Sequence, residues 1–153
     1  MSSYIYMSSD SQLLVGSIGD KGLDFFDTTF YFSLNSLESF FFEKNYDEEK
    51  EKYFNFSKHF SSKKYQVASL DLHLPEQGKK YVNHENKKAL QELLSYIKAH
   101  FENTQATYVE ILFCLNGQEN EPLKRKYSID YQDLSTNDLF YDDHKFLIIK
   151  RQV

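Results

Sequence analysis

The stretch YVEILFCLNGQENEPLKRKYSIDY, residues 108–131, is where the fold is decided. Apolar and β-branched residues fill Tyr108 to Leu115, an Asn-Gly pair follows, and a second alternating run extends from Leu123 to Tyr131. Connected by Asn116 to Glu121, the two runs are expected to pair as a hairpin. In the first strand Val109, Ile111, Phe113 and Leu115 point one way, while Tyr108, Glu110, Leu112 and Cys114 point the other. Cys114, the chain's single cysteine, therefore lies on the mixed face. A nucleophilic thiol needs a base, a group to orient that base and a cationic neighbour, and none is adjacent in sequence. The expectation is a structural thiol.

Outward from this stretch, KYQVASLDLHL alternates over Tyr65 to Leu74 before Pro75 and reads as a strand. Lys145 to Arg151 is a short apolar run with charged ends, and Tyr4 to Met7 and Leu13 to Ile18 are strand-like. Between His84 and Glu102, Leu90, Leu93, Leu94, Ile97 and Phe101 recur at spacings of three and four, so a helix capped by Asn83 is predicted. Its opposite face carries Lys87, Lys88, Glu92 and Lys98. A short helix is expected from Asn35, where Glu38 completes a capping box and Leu37, Phe40 and Phe41 form a stripe. Tyr46 to Lys52 is read as a helical extension with a solvated acidic face, and the aromatic YFNFSKHF after it has no clean period. These elements predict one α+β domain over residues 1–153, a mostly antiparallel sheet packed against one long and one or two short helices.

Length and composition are consistent with that class. A chain of 153 residues buries roughly 68–70% of its unfolded surface in one core, and 26 Phe plus Tyr supply ample apolar mass. One cysteine forms no internal disulfide, and the N-terminal residues lack a basic region followed by a continuous apolar one. A cytoplasmic protein without a membrane span is expected. The net charge of −5 opposes general binding to phosphate backbones. Nucleic acid is not the expected partner.

The five histidines, at 59, 73, 84, 100 and 144, are scattered, without metal-ligand spacing. Asp142, Asp143 and His144 are adjacent, but three neighbouring side chains converge on an ion only if a loop wraps it. No metal, cofactor or catalytic residue is assigned. Lys124, Arg125 and Lys126 beside Tyr127 and Tyr131 resemble a single-strand nucleic-acid surface, yet alternation splits them between two faces. Protection of a sheet edge is the expected role. Phosphate-binding glycine loops and Gly-x-Ser-x-Gly elbows are missing.

The acidic run Asp47, Glu48, Glu49 and Glu51 stands between Tyr46 and Tyr53, and residues 20–52 hold nine acidic against four basic side chains. Charge flanked by aromatic anchors suits docking on a basic protein: long-range attraction speeds encounter and the rings add short-range energy. Tyr46, Asp47, Glu48, Glu49 and Tyr53 are the candidate partner-binding residues. The SSYIYMSSDSQLLVGSIG opening, FCLNGQENEPLKRKYSI and KFLIIK, in a small, acidic, aromatic-rich chain, resemble immunity proteins of bacterial polymorphic and contact-dependent toxin systems. The resemblance implies a non-enzymatic protein that occludes the active site of a cognate protein toxin, such as a nuclease with a basic cleft. The alternative is a small enzyme with a dispersed Cys/His or Asp/His site.

Overall fold

The computed structural model describes residues 2–16 and 39–151. In chain order the elements are β1 (Ser3–Ser9), β2 (Glu43–Lys44), β3 (Tyr46–Asp47), β4 (Lys52–Tyr53), β5 (Tyr65–Leu70), α1 (His84–Asn103), β6 (Tyr108–Leu115), β7 (Arg125–Asp130) and β8 (Lys145–Lys150), with 3-10 turns at Tyr131–Asp133 and Thr136–Leu139. Six strands form one sheet in the order β2-β5-β1-β6-β8-β7, and β3 pairs with β4. All neighbours in the large sheet are antiparallel except β7 and β8. The class is α+β.

Strand phase explains how the layers form. Ile5, Met7, Val67, Val109, Ile111, Phe113, Leu147 and Ile149 face one way and pack with Leu90, Leu93, Tyr96, Ile97 and Phe101 of α1. The helix begins where the sequence places it: the Asn83 side chain accepts from the Asn86 amide, and the Asn86 side chain accepts in return from the Asn83 amide. On the opposite face Tyr6, Ala68, Leu112, Cys114 and Phe146 form a second cluster. Its cover is the aromatic segment that lacks a period, through Phe56 and Phe60.

Polar groups hold that cover down. The buried Glu110 carboxylate accepts from the Ser61 amide (2.9 Å) and hydroxyl (2.7 Å), and the Gln66 side chain accepts from the Phe56 amide and donates to Asn55 and the Ser62 carbonyl. Such bonds suit a buried loop, because its polar groups have no water to turn to.

Several expectations are corrected. β6 and β7 do not form a hairpin, because β8 lies between them. The turn itself is present, with Gly117 at φ +94 and the Gln118 amide donating to the Leu115 carbonyl, but burial sets the order. Phe146, Leu147 and Ile149 are buried on alternate faces and require a neighbour on each side, whereas the charged β7 tolerates an edge. β5 ends at Leu70 and not at Leu74, since the Asp71 carboxylate accepts from the Leu74 amide and turns the chain before Pro75. Leu13 and Leu14 are buried without strand pairing, only Gly16 bridges to Phe42, and Ser17 and Ile18 lie outside the described residues. The helix expected from Asn35 also falls largely outside them, and its described end, Ser39 to Phe41, is not helical. Glu92 is not solvated but buried, accepting from the Ser39 amide at 3.1 Å.

At the other end of α1, the Arg151 guanidinium donates to the Phe101, Ala106 and Thr104 carbonyls, satisfying acceptors in and just after the last turn. Nearby His100 is buried, its Nε2 2.8 Å from Ser9 Oγ. Burial pushes its imidazole from 6.5 down to about 4, with Arg151 adding to the lowering and Asp10 opposing it. The unfolded chain therefore takes up a proton between pH 6.5 and 4 that the folded chain refuses, so stability falls as pH falls through that window and the loss is complete below it. The loss amounts to about 3 kcal/mol. Asp71 acts oppositely: burial raises its carboxyl from 3.8 to about 6, so the folded chain holds a proton the unfolded chain lacks between pH 6 and 4. Urea melts of Asp71→Asn, which cannot make that compensation, are expected to show a steeper acid loss than the wild type. Equal slopes would contradict the assignment.

Candidate functional site

The acidic segment is a hairpin, which corrects the helical reading. Asp47 Oδ1 accepts from the Glu49 (3.0 Å) and Lys50 (3.2 Å) amides, and Glu51 adopts φ +53 to close the turn. A carboxylate bonded to amides two and three residues on favours a turn over a helix. Tyr46 stands opposite Tyr53 and Asp47 opposite Lys52, and the two tyrosine rings meet edge to face at 4.9 Å. Isolated two-stranded ribbons are marginal, so the base matters. There the buried Asn45 side chain donates to the carbonyls of Phe54 (2.7 Å) and Lys63 (2.6 Å), while the Phe54 amide donates to the Asn45 carbonyl.

The hairpin brings together all five sequence-predicted residues, but it divides their roles. Asp47 is engaged in the turn and Tyr46 is half-buried, whereas Glu48, Glu49 and Tyr53 are exposed. Among the described residues, neither Glu48 nor Glu49 forms an ion pair. Phe54, 40% exposed, belongs beside Tyr53 and was missed because its segment has no period. Ring contacts run from it through Phe56 (5.0 Å) and Tyr6 (5.4 Å) to Tyr4 (5.7 Å), linking the exposed aromatic pair to the sheet.

The remaining candidates are engaged in structure. Cys114 is fully buried, and burial, followed by Glu119 and Asp143, pushes its thiol up to about 12. Asp142 pairs with Lys124 at 3.2 Å, Asp143 accepts from the Tyr141 hydroxyl at 2.6 Å, and His144 occupies a φ +62 turn position. Lys124, Tyr141, Asp142 and Asp143 line a polar recess of about 160 Å³ with Glu76 and Gln77. No set of three His, Cys, Asp or Glu side chains is arranged to hold a metal among the described residues. The basic triplet is dispersed as alternation requires: Arg125 lies over the Tyr127 ring and Lys126 over Phe146. No described helix is long and apolar enough to cross a membrane.

Sequence reasoning also missed Lys145. It is fully buried, donating to the Asp138 (2.9 Å) and Phe140 (2.6 Å) carbonyls with its ammonium 4.5 Å from the Phe113 ring centre. Burial lowers it to about 8, Arg125 contributing and Asp142 and Asp138 opposing. The group fastens the 136–141 segment to the sheet.

The chain matches no protein-family profile, no curated protein and no solved structure.

Two outcomes are expected. Asn45→Ala leaves two carbonyls without their donor and should cost roughly 2–3 kcal/mol, with hydrogen exchange at the Phe54 amide accelerating more than in α1. Under native conditions Cys114 should react with a disulfide reagent only as fast as the protein unfolds; rapid labelling would contradict the buried thiol.

Proposed function

We propose that this protein is a non-enzymatic binding protein that acts in the cytoplasm as an immunity protein, neutralising a cognate bacterial toxin by occluding its active site. The observation that carries the reading is the hairpin: Glu48, Glu49 and Tyr53 are presented on a turn closed by Asp47 and fixed at its base by Asn45. A surface held in place before binding loses less entropy on association. Its exposed carboxylates would steer a basic partner, and Tyr53 with Phe54 would supply the contact area that charge alone does not. A nuclease cleft, basic because it receives phosphates, would offer the complementary charge. Inhibition on this reading needs no chemistry from the inhibitor.

The test begins with the toxin gene whose product the chain protects against, found by growth rescue on co-expression with neighbouring secreted-toxin domains. Glu48→Lys with Glu49→Lys should then lower the association rate about tenfold at low salt and flatten its salt dependence. Tyr53→Ala should chiefly speed dissociation. Rescue and kinetics unchanged by both variants would remove the hairpin from the interface, and failure to rescue against every such domain would remove the function.

A further inference from the structure

We propose that β7 is the seam of a symmetric homodimer, in which two copies of the chain pair their β7 strands antiparallel about a two-fold axis through Ser128 and merge two six-stranded sheets into one. β7 is the long edge of the sheet: it spans Arg125 to Asp130 and, among the described residues, pairs on one side only, with β8. The other edge, β2, has two residues. An unpaired six-residue edge presents main-chain donors and acceptors at the spacing a further strand needs.

Geometry restricts how β7 can meet itself. Residues opposite one another in an antiparallel pair point to the same face, so each residue of β7 can oppose only residues an even number of positions away. With the axis at Ser128, Lys126 stands opposite the partner's Asp130, and Asp130 opposite the partner's Lys126. On the other face Tyr127 meets the partner's Ile129, an aromatic and β-branched pair. Tyr127 and Ile129 are already half-buried against the helix-side core, so the apolar layer would continue across the seam. Moving the axis to Tyr127 or Ile129 loses the Lys126–Asp130 match and separates Tyr127 from Ile129. Lysine on an edge ordinarily discourages pairing by leaving a buried cation without a partner. Here the same strand supplies the anion.

The groups involved can take part. Lys126 and Ser128 are exposed, the Lys126 ammonium is 5.7 Å from the Phe146 ring centre, and Asp130 donates no hydrogen but accepts one, from the Gln132 amide at 2.8 Å, which leaves its other oxygen for the lysine. The acidic hairpin follows β2, at the opposite edge of the sheet, so the dimer would leave both hairpins open.

Sedimentation equilibrium of the full chain over a wide concentration range tests this directly. The wild type should show a reversible monomer–dimer equilibrium. Lys126→Asp places two pairs of carboxylates across the seam and should weaken dimerisation by at least about tenfold, and Lys126→Asp combined with Asp130→Lys should restore it. Ser128→Asp, which sets two carboxylates against each other on the axis, should dissociate the dimer without touching either core. A wild type that is monomeric throughout overturns the proposal. So does a dimer that persists unweakened in both Lys126→Asp and Ser128→Asp, or a natively folded double charge reversal that fails to recover pairing.

Discussion

A sheet has two faces, and the described residues hold one long helix with which to cover them. β1, β6 and β8 carry large apolar residues on both sides, so exposure of either face would leave Leu112 and Phe146, or Ile111 and Leu147, in water. The helix takes one face. Residues 54–62 take the other, and because this segment has no secondary structure of its own it is fixed by side chains of the sheet: Glu110 bonds Ser61, Gln66 bonds Phe56 and Ser62, and the Ser8 hydroxyl donates to the Ser62 carbonyl. The β3–β4 hairpin grows directly from this cover. Its presentation depends on the same requirement that the second face be buried.

Burial also governs the ionisable groups. Lys145, Arg151, Glu92 and Glu110 would read as solvated in a linear sequence, yet each meets main-chain groups in the fold. Lys145 and Arg151 donate to carbonyls that end a turn or a helix, and Glu92 and Glu110 accept amides where irregular chain crosses the core. Charged side chains thus complete the hydrogen bonding of segments that have no ladder of their own. Cys114 and His100 are sealed by the same packing.

Local pattern carried much of the architecture. The three- and four-residue spacing from Leu90 to Phe101 with Asn83 before it marked α1 to within a residue, since capping and amphipathicity are local properties. Period two assigned the faces of β6 correctly, and Tyr65 to Leu70 likewise. The hairpin was misread because a short acidic stretch satisfies a helical pattern as well as a turn, and the deciding bonds, from two amides to Asp47, are geometric. The five residues expected at a docking surface nevertheless stand on one hairpin, because they are neighbours in sequence. Phe54 escaped notice because the aromatic segment it opens has no period, and its exposure shows only in the fold.

By itself the sequence determined the α+β class, the long helix, the central strands and the acidic, tyrosine-flanked segment, all of which follow from periodicity and charge over a few consecutive residues. Only the tertiary structure decided the strand order. The Asn-Gly turn after β6 is compatible with pairing to β7, but an apolar β8 buried on both faces competes for the central place and wins it, driving the charged β7 to the edge. Neighbouring in sequence is a local fact, whereas the right to an interior position is a comparison among all strands of the sheet.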